Sequence, residues 1–214
     1  MFASKDTLLT RPSGGYTIAR SVRLRSSASA YFNRTLTTPT NNKIWTWSNW
    51  VKRGALGTGF LFSANSTSPF FDFFFNSSNQ IRAFNYNGIS YDFDLTTNAV
   101  FRDPSAWYHI VLTIDTTQAT NTNRVKLYIN NVEQTFTTSS YPSQNLNTAM
   151  NSAVVSNIGR EAQTAGNYFD GYLTEINFID GQALTPSSFG ETDSITGVWK
   201  PKAYSGTYGT NGFE

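Results

Sequence analysis

Fourteen acidic side chains and one histidine are the groups in this 214-residue chain that could move protons or hold a metal. Hydrolysis by paired carboxylates needs an acid and a nucleophile ~5–5.5 Å apart. The segment nearest to such spacing is Glu175-Ile-Asn177-Phe-Ile-Asp180. An amide occupies its middle position, and Asp180 precedes Gly181 in an Asp-Gly turn. Glu175 and Asn177 therefore read as the polar face of a strand. Asp92 and Asp94 are a second pair, which strand geometry puts on one face ~6.5–7 Å apart. Two carboxylates fall short of the roughly 6–8 oxygens that Ca²⁺ takes, so this pair reads as a solvated face. His109 has neither a second histidine nor any cysteine to join it. Zinc sites and nucleophile–histidine triads lack their partners, and His109 is expected to pack or hydrogen-bond. No catalytic residue is assigned.

The materials for binding are more plentiful than those for catalysis. Aromatic residues make up 15% of the chain. Exposed rings with nearby amides and carboxylates suit sugars, whose apolar faces stack on aromatics. Trp50, Tyr86, Asn87 and Tyr141 are the candidates: Trp50 lies opposite the face shared by Trp45, Trp47 and Val51, and the others fall near loops. Arg20, Arg23, Arg25 and Arg34 read as a charged edge, which discourages stray strand pairing. Sixteen basic against fourteen acidic residues leave a net charge of +2. That balance offers no electrostatic case for nucleic acid or an anionic membrane.

These residues must be positioned by strands. Val22 and Leu24 alternate with polar residues within Ile18–Leu24, the period of a half-buried strand. Ile44–Arg53 is a clear strand, followed by Phe60–Ala64 and Pro69–Asn76. The last is apolar on both faces except at Asp72, so both faces should be covered. Gln80–Tyr86, Ile89–Leu95, Trp107–Asp115, Arg124–Asn130, Val132–Phe136 and Phe169–Phe178 complete the set. In Ile89–Leu95 the residues Ile89, Tyr91, Phe93 and Leu95 share one face. Asn130-Asn131 suits a tight turn, because asparagine tolerates positive φ. Residues 137–157 are rich in Ser, Thr and Asn and read as a long surface loop. Pro186–Gly190 reads as a single helical turn. About ten short strands without an amphipathic helix predict an all-β, two-sheet antiparallel sandwich. Residues 1–17 read as an N-terminal arm, 18–190 as the sandwich, and 191–214 as an extension forming an edge strand or linker. The N-terminus has no apolar core of signal-peptide length, and no stretch approaches the ~18–20 apolar residues of a membrane span.

Three segments share a pattern. WYHIVLTID followed by NRVKLYINNVEQ resembles the central signature of laminin-G-like and pentraxin-like jelly rolls, with Asn131 where glycine is usual. NIGRE and YFDGYLTEINFIDGQALTP resemble the closing strands, and SVRLRSSASAYFNRT with IWTWSNWVKRG the opening ones. The resemblance implies a concanavalin A-like jelly-roll sandwich from about Ala19 to about Gly190. YFDGYLTEINFIDGQALTPSSFGE with TGVWKPKAYSGTYGTNGF is similar to jelly-roll proteins of tailed phages. That likeness implies a non-enzymatic module on the virion surface, in a tail fibre, spike or capsid fibre, recognising a host glycan. The alternatives are a structural capsid decoration or fibre protein that binds other virion proteins, and a secreted glycan hydrolase. The fibre context implies a homotrimer, which could bury the Phe-rich 70–75 segment if it is not a core strand. Relatives of this fold sometimes hold a structural Ca²⁺ at the sandwich rim, for which Asp170, Asp180 and Asp72 are the donors here. No other cofactor is implied.

Overall fold

The computed structural model describes residues 16–214. Most of the expected arm, residues 1–15, lies outside the described residues. Fifteen strands are formed among the described residues: β1 (Val22–Leu24), β2 (Phe32–Thr35), β3 (Ile44–Arg53), β4 (Gly59–Ala64), β5 (Phe70–Phe75), β6 (Ile81–Tyr86), β7 (Tyr91–Thr97), β8 (Tyr108–Asp115), β9 (Val125–Ile129), β10 (Val132–Glu133), β11 (Phe136–Ser140), β12 (Val155–Ile158), β13 (Gly171–Asp180), β14 (Gly190–Thr192) and β15 (Trp199–Pro201). A six-stranded sheet runs β1-β13-β3-β8-β9-β10, and a seven-stranded sheet runs β11-β7-β6-β5-β4-β12-β2. The paired strands are antiparallel throughout. This is the expected all-β sandwich.

Period-two alternation decides the core. Trp45, Trp47 and Val51 point inward from β3 and are wholly buried, as are Phe71, Phe73 and Phe75 of β5. Trp47 stacks on Phe62 of the facing sheet at 4.1 Å between ring centres, and Trp45 meets Phe71 edge-on at 5.4 Å. Burying such rings contributes roughly 1.5–3 kcal/mol each. Asn130 and Asn131 both have positive φ, 49° and 68°, as the two-residue turn between β9 and β10 requires. The Phe-rich strand is central in its own sheet, with Phe71, Phe73 and Phe75 in the core and Phe70 and Phe74 on the outer face.

Three expectations need correction. Residues 137–157 are not one surface loop: β11 pairs with β7, β12 inserts between β4 and β2, and Ala149 and Met150 join the core. Polar residues hid these strands. The side chains of β11 are mostly exposed at a sheet edge, while β12 is held by ladders on both sides. The first strand is also shorter than expected, and Phe32–Thr35 forms an edge strand that alternation did not mark.

The third correction concerns the tail. Residues 191–214 do more than form an edge strand or linker: Phe213 adds an antiparallel bridge to Phe178 of β13, and the rest packs elsewhere. β14 and β15 form a hairpin, and this segment covers the outer face of the six-stranded sheet. Phe189 packs on Val111 and Ile179, with Tyr204 and Tyr208 against the same cluster. Phe213 exchanges two backbone hydrogen bonds with Phe178, each 2.9 Å. Gly209 has φ +78°, and a Cβ there would collide with the Asp180 backbone.

Candidate functional site

His109 anchors the tail. It is wholly buried, stacked on Trp50 at 4.9 Å. The indole N–H of Trp199 donates to its Nδ1 at 3.0 Å. Nδ1 is then an acceptor, so Nε2 carries the proton and donates to Ser48 Oγ, 3.0 Å away. Burial pushes the imidazole down to about 3, so it stays neutral. His109→Ala is expected to free Trp199 and raise amide exchange across β14–β15, at a cost of about 2–3 kcal/mol. Exchange in that hairpin no faster than wild type would show that the indole contact does not hold it.

His109 also covers one face of Trp50. Trp50 lies on the outer face, as its strand position predicts, but only 7% of it is exposed. It is not an open sugar platform. Tyr141 packs edge-on against Phe136 at the β11 edge of the seven-stranded sheet. Asn87 builds the β6–β7 turn: its Oδ1 accepts the Ile89 and Ser90 amides, and its Nδ2 donates to Asp92. Of the four binding candidates, only Tyr86 and Asn87 lie together.

The three acids assigned to Ca²⁺ do not converge. Asp170 and Asp180 flank or end β13 at opposite extremities, and Asp72 belongs to the other sheet. Asp170 pairs with Arg23 at 2.7 Å and accepts from the Ser26 amide and hydroxyl. Asp180 accepts from four N–H groups: the Thr40, Asn41 and Asn211 amides and the Asn151 side chain. Asp72 is buried on the outer face of the seven-stranded sheet with Oδ1 unpartnered. No group of three His, Cys, Asp or Glu suited to a metal exists among the described residues.

The Glu175–Asp180 pattern is also dispersed. A bulge opposite Asn49 places Glu175 at φ +49°, which breaks the strand alternation expected of Glu175 and Asn177. The Tyr16 hydroxyl donates to Glu175 Oε2, and the Tyr208 hydroxyl to Asn177 Oδ1. With Asp180 fully hydrogen-bonded, these groups do not form an acid–nucleophile pair.

Aromatic side chains instead gather on the outer face of β4–β7. Phe60 and Phe74 stack at 4.5 Å, and Phe84 meets Phe74 edge-on. Around this buried floor stand Phe70, Tyr86 and Tyr91. Tyr86 lies 5.3 Å from Phe70 and 5.4 Å from Tyr91. Tyr91 is 47% exposed. Alternation predicts it inward with Phe93 and Leu95. Instead Asn85 pairs with Phe93 and Tyr86 with Tyr91, so Asp92 is an extra residue that turns Tyr91 outward. Arg82 lies over the rings of Phe84 and Tyr91 and makes a bidentate pair with Asp94, 2.8 and 2.7 Å. Asp94 is therefore paired rather than freely solvated. Alternation could have found Phe70, Arg82 and Asp94 as one face, but not Tyr91. The surface offers ring faces beside an oriented cation and carboxylates, which suits noncovalent recognition.

Residues 21–188 match the model of the concanavalin A-like lectin/glucanases superfamily. No curated protein sequence matches significantly. Among solved structures, domains LG4-5 of the mouse laminin α1 chain superpose with TM-score 0.56 at 11% identity, over 89% of this chain and 46% of that one. A heptameric SAP-like pentraxin from Limulus polyphemus gives 0.50 at 16% identity, over 72% and 71%. A structure described as a putative carbohydrate binding protein, from Bacteroides ovatus, gives 0.48 at 11%, over 73% and 43%. Two of these three chains are thus more than twice as long as the part that this one spans.

Proposed function

This chain belongs to the concanavalin A-like lectin/glucanases superfamily, and on that premise we propose that it is a non-catalytic glycan-recognition module. The contact surface is the outer face of β5–β7. The observation that carries this reading is the exposed Tyr91 ring beside Tyr86 and Phe70, with the Arg82–Asp94 pair next to it. A sugar ring stacks its apolar face on tyrosine, while guanidinium and carboxylate meet its hydroxyls. The rigid aromatic floor keeps these groups in place without further ordering on binding, which favours affinity.

The proposal extends to context. The module sits on the surface of a tailed-phage virion, in a tail fibre, spike or capsid fibre, and adheres to a host glycan. The support is the similarity of the 168–191 and 196–213 segments to such proteins.

Binding of the full chain to an array of bacterial surface glycans tests the reading. Tyr91→Ala should weaken the best ligand about tenfold, an effect of roughly 1.4 kcal/mol, with the fold intact. Absence of any glycan ligand, or equal affinity in the variant, would reject this surface as the site.

A further inference from the structure

We infer that the cavity beneath residues 18–21, on the outer face of the six-stranded sheet, binds a sugar that carries a carboxylate. The cavity measures about 400 Å³ and is lined by Arg20, Ser21, Trp50, Trp107, Thr174 and Pro201, besides Ile18 and Ala19. That volume lies within the range of small-ligand sites, roughly 300–1,000 Å³. The inference goes beyond the platform reading and does not depend on it, because the two surfaces belong to opposite sheets.

The lining has a definite chemistry. Arg20 is exposed and makes no ion pair among the described residues; no acidic side chain lines this cavity, while Glu175 and Glu214 line the adjoining cleft that Arg20 also borders. A guanidinium without an ion-pair partner suits an anion, and its planar fork fits a carboxylate with two parallel hydrogen bonds. The Trp107 indole asks for something else: a flat apolar face. Trp107 is half-buried. Trp50 is buried, and its Nε1 has no hydrogen-bond partner. A buried N–H without a partner is rare in folded proteins. The Thr174 hydroxyl donates to the Arg20 carbonyl at 2.7 Å, fixing the 18–21 segment over the sheet. Its oxygen and the Ser21 hydroxyl remain available to a ligand's hydroxyl groups. A uronate or a sialic acid combines an apolar ring face, hydroxyls and one carboxylate. A neutral sugar would leave Arg20 without an ion-pair partner, and a simple carboxylate would leave the Trp107 ring uncovered.

The five tryptophans supply five indole N–H signals, which report on this cavity directly. The ¹⁵N-labelled full chain is titrated with glucuronate and with N-acetylneuraminate, and with glucose and acetate as controls. Saturable shifts of the Trp107 and Trp50 signals are expected with at least one acidic sugar, with Kd on the order of 1 mM. Arg20→Gln, at an exposed position, should weaken this binding at least about tenfold, and Tyr91→Ala should leave it unchanged. No saturable shift with either acidic sugar would overturn the inference. So would equal affinity for glucose or acetate, or binding retained in Arg20→Gln. Because Tyr91 and Arg20 are tested separately, loss of one site does not mimic loss of the other.

Discussion

Asp180→Ala is expected to lower the folding free energy by about 4–5 kcal/mol, a large share of the roughly 5–15 kcal/mol typical of a domain. The carboxylate is 1% exposed and joins three distant stretches of chain. Its Oδ2 accepts the Thr40 and Asn211 amides at 2.7 and 3.1 Å, and its Oδ1 accepts the Asn41 amide and the Asn151 Nδ2 at 3.1 and 2.6 Å. Removing the acceptor leaves four donors to find other partners, some of them buried, and each orphaned donor costs about 1–3 kcal/mol. Burial pushes this carboxyl up, but the hydrogen bonds from Asn151, Thr40, Asn211 and Asn41 together hold it below the usual range. Its contribution is therefore present above the unfolded value of 3.8 and is lost as the pH falls through the lower folded one. Asp180→Asn keeps one acceptor oxygen and should cost less than alanine. Urea unfolding followed by tryptophan fluorescence gives both numbers. A loss below about 1 kcal/mol for alanine would mean that the loops at Thr40, Asn151 and Asn211 hold without this carboxylate.

Stability should also stay nearly flat from about pH 4 to 6.5 and then fall by about 2 kcal/mol towards pH 8. Two buried groups oppose one another. Burial, the largest cause, raises the Asp72 carboxyl to about 8; Glu161 adds to this, while Gln163 and Arg82 pull the other way. A raised carboxyl stays protonated in the fold, so its contribution is complete below the unfolded value of 3.8 and is lost as the pH climbs to about 8. Burial lowers His109 to about 3. The unfolded histidine, at 6.5, holds a proton that the folded one refuses, so its contribution grows from about pH 3 and is complete above 6.5. Between about pH 4 and 6.5 the two slopes cancel. Above about pH 6.5 only the Asp72 loss continues, at about 1.4 kcal/mol per pH unit. Glu175, also raised chiefly by burial, is half-buried and adds a small loss of the same sign above its unfolded value of 4.5. Asp72→Asn removes the fall above about pH 6.5 and unmasks the rise due to His109 below it. The variant should exceed wild type by about 5 kcal/mol at about pH 8 and match it near pH 4. Parallel profiles for the two proteins would show that Asp72 ionises normally.

Parts of the candidate site are legible in the sequence. Tyr86 stands where strand spacing puts it, at the end of β6, and Asn87 in the turn that follows. For Trp50, strand spacing gives the correct face and the wrong surroundings. Alternation tells the side of a sheet on which a residue lies, not what covers that side. The surroundings of Trp50 are His109, stacked on the ring, with residues 18–21 and Pro201 beside it, the last about 150 residues further on, and no local pattern announces contacts across such separations. Tyr91 is misread for a different reason. A single extra residue, Asp92, shifts the register, and bulges leave no composition signal when the extra residue is as polar as its neighbours. The acids expected to hold calcium are engaged elsewhere: donors from residues 23–26 occupy Asp170, and donors from residues 40–41, 151 and 211 occupy Asp180.

By itself, then, the order of residues determined the sandwich: period-two strands, the inward Trp45 and Trp47, the Phe-rich central strand and the paired-asparagine turn. Each of these follows from the alternation of side chains along an extended backbone or from local φ preferences. The tertiary structure decided which polar and aromatic groups remain free to meet a ligand. It buried Trp50 against His109, sequestered Asp170 and Asp180 with distant donors, and left Tyr91 and Arg20 at the surface. Freedom to bind is set by long-range contacts, and a sequence read a few residues at a time does not contain them.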